Sequence, residues 1–365
     1  MKVSIGSKVV EGPYGGGNLF VKNISSYLIK KGHSVVYDLV DEDIDIILII
    51  NPLKNSESAT FDHLDALFYT KFVNEESIIV QRINECDERK NTNNVNTQII
   101  KANQFVDYTI YVSEWISDLF KKKGLESKNS KVILSGSDNK IFNQKEKEYW
   151  DRKSKFKIVT HHWSPNWMKG FDSYKIIDDL LDTSAWADKI SYTYIGNLPG
   201  NFKFRNTEVL EPLGDVELSE KLKSFHGYIT GSINEPSGNH HIEAMQCGLP
   251  VLFINSGGIP EYCSENGLSF ENHNLEVQLK KFINNYPDYI NKVKKYDNNS
   301  ERMSKEFLEI FIHLISNKKE LISKRRKINN LILFFNYYIS KFKKTSFYYY
   351  LSFKKILSSI LRKQK

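Results

Sequence analysis

Short apolar runs of strand length alternate with helix-like segments twice along this chain, and that alternation narrows the fold more than any other feature. Over the first 140 residues KVSIG, HSVVYD, DIDIILII, ESIIVQRI, DYTIYVS and KVILSG read as strands. Between them NLFVKNISSYLIKKG and EWISDLFKKKG read as helices, the first capped by Asn18 and closed by Gly32. Strands alternating with helices predict a parallel, doubly wound sheet. The polar stretch NQKEKEYWDRKSK at 143–155 breaks the pattern, and FKIVTHH, SYTYIGNLP, GYITGS and GLPVLFINSGG restart it. A length of 365 residues also exceeds what one compact core usually takes. The expected fold is α/β: two Rossmann-like domains over 1–142 and 156–315, a linker at 143–155, and a tail over 316–365. Ligands would then bind in the cleft at the carboxyl ends of both parallel sheets.

The composition excludes several classes. No apolar run reaches the length that spans a bilayer, and MKVSIGSKVV lacks the apolar centre of a signal peptide. Cys86, Cys247 and Cys263 are an odd set without CxxC spacing, which fits reduced thiols in a cytoplasm. The net charge of +7 is unevenly spread: residues 318–365 carry fourteen Lys/Arg and one acid, leaving residues 1–317 at −6.

Chemistry is densest in EPSGNHHIEAMQCGLP, residues 235–250. The adjacent His240 and His241 point about 100° apart on a helix and cannot chelate one ion together, and HExxH is absent, so no metal is expected. Cys247 lacks any nucleophile signature and reads as a buried helix-end thiol. Hydroxyls and phosphate fit better. A helix starting near Asn239 would offer unpaired N–H groups to a diphosphate, with Glu235 ahead of it and Glu243 within it to accept hydrogen bonds from sugar hydroxyls. That layout suits a nucleotide sugar.

The same stretch resembles the E-x7-E signature of the family 4 glycosyltransferases of the GT-B fold, with Glu235, Gly238 and Glu243 in register. Three further segments follow suit: NSGGIPE at 255–261 is similar to that family's glycine-glycine-x-proline-glutamate turn, VILSGSDNKIF at 132–142 to the end of its first domain with Ser135 for the usual asparagine, and DYTIYVSEWISDLF to the strand and helix before that. The resemblance spans roughly residues 1–270. It implies retaining sugar transfer from a nucleotide-sugar donor to a glycan or lipid-linked acceptor in cell-surface polysaccharide synthesis, without cofactor or metal. Nucleotide-sugar epimerases of the same fold, and inactive binding homologues, are the alternatives it leaves open. Hydrolysis is disfavoured.

Carried over residue by residue, the resemblance gives Glu243 the ribose and Glu235 the transferred sugar, with Ser237, Gly238, Asn239 and His240 meeting sugar and phosphate oxygens and Gly257 and Gly258 in the adjoining turn. Lys169, in HHWSPNWMKGFDSY, matches the lysine that stabilises the leaving diphosphate, so Lys169 and Glu235 are the expected catalytic residues. His161, His162 and Trp163 stand where the family has an arginine, so a histidine (His162 foremost) or a more distant arginine such as Arg205 would take its part. Gly16 and Gly17 of the glycine-rich loop bring backbone amides to the donor phosphates. Relatives carry a histidine after the fourth strand; here IIVQRINECDERK offers Arg82, Asn84 and Asp87 on the acceptor side, with Glu85 beside them.

The tail interleaves Lys/Arg with Phe, Tyr, Leu and Ile, the composition of an interfacial helix. A membrane surface is the expected partner of residues 318–365, placing the chain on the cytoplasmic face of the cell membrane. No nucleic-acid motif accompanies the basic charge. The last helix before the tail is expected to cross back onto the first domain.

Overall fold

Strands that are apolar on both faces belong inside a sheet with helices on both sides, and this chain builds two such sheets. The computed structural model describes residues 1–10, 15–51, 58–125, 127, 129–326, 328–342 and 345. The first sheet holds β1 (Lys2–Ile5), β2 (Ser34–Val36), β3 (Ile46–Ile49), β4 (Ile78–Ile83), β5 (Tyr108–Tyr111) and β6 (Ser130–Val132), in the order β2-β1-β3-β4-β5-β6. The second holds β7 (Phe156–His162), β8 (Ile190–Gly196), β9 (Glu208–Leu210), β10 (Gly227–Thr230), β11 (Val251–Ile254) and β12 (Gly267–Phe270), in the order β12-β11-β10-β7-β8-β9. Every pairing is parallel. The strand order reverses beside β1 in one sheet and beside β7 in the other, and both switch points open onto the same cleft. The expected pair of Rossmann-like domains is the observed architecture.

Two details of the sequence reading change. The helix Gly15–Lys30 starts before Asn18, which therefore cannot cap it. Asn18 instead turns its amide back on the incoming chain, accepting from Val10 N at 3.0 Å and donating to Val10 O at 2.7 Å. The expected turn through residues 11–14 lies outside the described residues.

The helix Ser300–Ser316 falls within the 156–315 bounds predicted for the second domain but packs into the core of the first, the crossing expected of the last helix before the tail. Its apolar stripe Met303, Phe307, Ile310, Phe311 and Leu314 repeats at helical spacing. It lies on Phe20, Val21, Ile24 and Leu28 of the helix Gly15–Lys30, with the Phe20 and Phe307 rings 5.2 Å apart. Asn299 caps it, accepting from Glu301 N and Arg302 N. The crossing passes Gly136 so closely that a Cβ there would sit 2.1 Å from the Asn299 carbonyl carbon, and Ser300 N donates to Ser137 O beside it.

A second junction joins the domains. The Glu261 carboxylate accepts from Glu114 N at 2.6 Å and Trp115 N at 2.7 Å, complementing the N-terminus of the helix Glu114–Lys122. The neighbouring Tyr262 hydroxyl donates to Val112 O and accepts from Ser135 N. Beyond residue 316 the chain stays on the first domain: Arg325 makes a two-pronged pair with Asp107, at 2.7 Å for each prong.

Candidate active site

The carboxyl ends of β7 and β10 define the second domain's side of the cleft. From β10 the chain enters the loop carrying Glu235 and then the helix Asn239–Gln246. Gly238 precedes that helix at φ +77°, and a Cβ there would lie 2.8 Å from the rings of both His240 and His241. Glycine is therefore needed at the turn into the helix. Gly257, at φ +65°, presses against the backbone of Asn234 and Glu235 from beneath, and Gly258 N donates to Glu235 O at 2.9 Å.

Lys169 reaches the same point from the short 3-10 turn Trp167–Lys169. Asn166 caps that turn, accepting from Met168 N at 2.8 Å. Gly170 ends it at φ +106°, where a Cβ would fall 2.4 Å from the carbonyl carbon of Gly231. The Lys-Gly pair thus drops the Lys169 ammonium onto Glu235 Oε2. From the first domain Arg89, on the turn Asp87–Lys90, brings its Nε to 2.8 Å from Glu235 Oε1, as an ion pair outside hydrogen-bond alignment. Arg89 Nη1 also binds Glu85 Oε2 at 2.7 Å.

One carboxylate, 4% exposed, is therefore gripped by two cations from opposite sides of the cleft. Burial opposes the ionisation of Glu235, yet Arg89 and Lys169 overcome it and hold the carboxyl well below the usual carboxylate range. Burial pulls the Lys169 ammonium below its ordinary value, and Glu235 works against that shift.

Four histidines pack behind this cluster. His161 Nε2 meets Glu243 Oε2 at 2.9 Å, His162 Nε2 meets the Tyr174 hydroxyl at 2.6 Å, and His240 Nε2 meets Thr230 Oγ1 at 2.8 Å. The His240 ring lies 4.6 Å from that of His162 and 4.8 Å from that of His241. Burial, reinforced by Lys169 and the neighbouring rings, pushes His162 and His240 well below the usual imidazole range. Burial lowers His241 to about 3. These three rings are neutral near pH 7.

A cavity of about 440 Å³ occupies the cleft. Of the residues predicted from sequence, Ser237, Gly238, Asn239, His240 and Glu243 line it beside Glu235, Lys169 and His162. Gly16, Gly17, Arg82 and Asn84 line it from the first domain. Gly16 approaches the other domain closely, since a Cβ there would lie 3.1 Å from the Asn239 amide.

Four predicted residues stand elsewhere. Gly257 and Gly258 support the Glu235 loop from below rather than facing the cavity. Asp87 turns its carboxylate onto the backbone N–H groups of Asn94, Val95 and Asn96 and the Thr92 hydroxyl, so the N-terminus of the helix Val95–Asn103 consumes it. Arg205 is not the missing arginine: it is exposed and tied to Asp179 and Asp182. The arginine that reaches Glu235 is Arg89, which sequence reasoning passed over although it lies four residues after Glu85, the spacing of a helical ion pair. His161, seen in sequence only as part of a replacement, is the ring that touches Glu243.

Comparison with known proteins follows the geometry. Residues 204–303 match the family of glycosyl transferases group 1. No curated protein matches the chain. Among solved structures, a glycosyltransferase from Rickettsia africae ESF-5 is 14% identical, covering 87% of this chain and 99% of its own, with a TM-score of 0.62. Anabaena Alr3699/HepE in complex with UDP-glucose is 13% identical, covering 86% and 100%, with a TM-score of 0.63. WaaG, a glycosyltransferase involved in lipopolysaccharide biosynthesis, is 14% identical, covering 85% and 99%, with a TM-score of 0.59. At these identities the structural likeness carries the GT-B fold.

Proposed function

From the premise that this chain is a family 4-like glycosyltransferase of the GT-B fold, we propose that it transfers a sugar, with retention at the anomeric carbon, from a nucleoside diphosphate sugar to a glycan or lipid-linked acceptor of the cell surface. The observation that carries this reading is the Lys169–Glu235–Arg89 cluster at the head of the helix Asn239–Gln246. An anionic diphosphate entering there exchanges one carboxylate for its own oxygens. Lys169, Arg89 and the first N–H groups of the helix then face the charge that develops as the glycosidic bond breaks. Positive charge for the leaving group comes from side chains, so the reading calls for neither metal nor cofactor.

Roles follow from position. Released from the two cations, Glu235 accepts hydrogen bonds from the transferred sugar. Glu243, one turn into the helix and held by His161, takes the ribose hydroxyls. Gly16 and Gly17 bring first-domain backbone to the diphosphate. The bond from the anomeric carbon to the diphosphate breaks as the acceptor oxygen adds, and the acceptor proton passes to a diphosphate oxygen on the leaving face.

The tail supports attachment to the cytoplasmic leaflet. Residues 330–342 are helical and lie on the helix His63–Phe72, with the Tyr337 ring stacked 4.1 Å from Phe68 and Lys341 Nζ 2.7 Å from Asp65. Leu331, Ile332, Phe334, Phe335, Tyr338, Ile339 and Phe342 are left exposed. No helix among the described residues is long and apolar enough to cross a membrane, and a bare apolar face flanked by lysines suits the interface instead. Residues 346–365, the rest of the predicted membrane segment, lie outside the described residues.

Calorimetric titration of UDP, GDP, dTDP, ADP and CMP into wild type and Glu243→Ala tests the donor assignment. One nucleotide should bind, and the mutant should lose about tenfold or more of that affinity. Absence of binding by all five would remove the reading.

A further inference from the structure

Arg82, on β4, is 5% exposed and has no acidic partner among the described residues. Its Nη2 lies 3.1 Å from Ser135 Oγ, and the guanidinium carbon sits 4.0 Å from the centre of the Phe20 ring. The buried Nη1 has no hydrogen-bond partner among the described residues. A buried guanidinium is costly to hold without an anion, and its planar fork matches a carboxylate or phosphate.

The surroundings tell which side of the reaction it serves. Arg82 lines the 440 Å³ cleft cavity and also an adjoining cavity of about 270 Å³. The described lining of the smaller cavity comes entirely from the first domain. It includes the cations Lys8, Arg82 and Lys90 against a single acid, Glu85, which Arg89 and Lys90 already neutralise. The two cavities share Gly17, Arg82, Asn84 and Glu85, so a ligand anchored in the smaller one extends toward the donor.

We propose that the acceptor is anionic: a carboxylate or phosphate monoester on it seats against Arg82 in the first-domain cavity, with Lys8 adding charge at the rim. This inference rests on the glycosyl-transfer reading above and adds the chemical class of the acceptor. The other source of an oxyanion is the donor's own diphosphate, so the experiment separates the two.

The 365-residue protein, saturated with whichever nucleotide binds (written UDP below), is titrated calorimetrically with glucuronate, glucose 6-phosphate and glucose. At least one acidic sugar should bind about tenfold tighter than glucose, and Arg82→Gln should remove that preference while changing UDP affinity less than about twofold. Lys8→Gln, an exposed change that leaves the fold intact, should weaken the acidic sugar about threefold. If Arg82→Gln does not fold, the acidic-to-neutral contrast and Lys8→Gln decide. Equal affinity for glucose and both acidic sugars, or no binding of either acidic sugar, overturns the proposal. So does a tenfold loss of UDP affinity in Arg82→Gln, which would assign the guanidinium to the donor. Failure of wild type to bind any nucleotide counts against the donor reading instead, and titration of the unliganded protein then still tests Arg82.

Discussion

Arg89 of the first domain and Glu235 of the second meet across the cleft, Nε to Oε1 at 2.8 Å, while Lys169 holds the other oxygen of the same carboxylate. The pair does two things at once. It ties the domains together over the cavity, and it keeps two cations poised where a diphosphate would arrive. Under the proposed function, an arriving diphosphate has to replace Glu235 at both.

Arg89→Gln separates these two roles. Under the proposed mechanism UDP affinity falls about tenfold and donor turnover about a hundredfold, the scale of losing one preorganised charge contact in a transition state. The melting temperature should change little, because Lys169 still pairs with Glu235. A marked fall in melting temperature with unchanged UDP affinity would instead make Arg89 a structural strap. Calorimetry and a thermal melt on one preparation decide.

Gly170→Ala should be among the most damaging single changes in the second domain. The residue sits at φ +106°, and the added Cβ would fall 2.4 Å from the Gly231 carbonyl carbon, so the backbone must move as well as strain. A loss of about 3 kcal/mol or more is expected, combining an unfavourable backbone conformation with the clash. Gly200→Ala is the matched control: its φ is also positive, at +41°, but nothing lies within 4 Å of the added Cβ. It should lose only about 1 kcal/mol. Denaturant melts of the two variants measure the difference.

Much of this arrangement was legible in sequence, and the exceptions share causes. The central strands declare themselves because burial on both faces demands unbroken apolar runs, as in IILI of β3. The two strands that sequence reading omitted, β9 and β12, are the edges of the second sheet. β9 is EVL with both of its first two residues exposed, and no apolar run is required there. Asp87 and Arg89 illustrate a different limit. Both stand in one short polar segment, and only the tertiary path decides that Asp87 caps the next helix while Arg89 crosses to the other domain. The E-x7-E stretch was readable because its chemistry is local: one loop, one helix N-terminus and two carboxylates a fixed distance apart.

Acidification should weaken the fold before carboxylates titrate. Burial, aided by Lys147 and Lys157, lowers His226 to about 4, and its Nδ1 accepts from Lys157 N at 3.0 Å, which requires a neutral ring nitrogen. His241 is lowered to about 3 by burial. An unfolded imidazole takes up its proton near 6.5. Between that value and the folded ones the unfolded chain binds more protons, so stability is full above about pH 7 and falls as pH drops toward 4. Melting temperature should decline steadily from pH 7 to pH 5, and His226→Gln, away from the cleft, should flatten part of the slope. A melting temperature independent of pH over that range would contradict the burial of neutral rings.

The tail gives the last test, because its charge and its apolar face can be varied separately. Part of its positive charge is already spent on the protein: Lys318 pairs with Glu76, Arg325 with Asp107 and Lys341 with Asp65. Under the proposed membrane attachment, attraction to an anionic leaflet therefore depends on fewer lysines than the sequence count suggests, and the exposed apolar face carries more of the binding. Phe335 and Phe342 are 63% and 76% exposed and seven residues apart, on one side of the helix. Replacing both with Glu removes two apolar insertions and adds two charges opposed to the lipid. Sedimentation with vesicles containing anionic lipid should then fall at least about tenfold relative to wild type, with UDP binding unchanged because the cleft is untouched. Raising salt should weaken wild-type binding only partly, since the apolar term is not screened. Equal sedimentation of the double variant and wild type would mean that this helix face is not what meets the membrane.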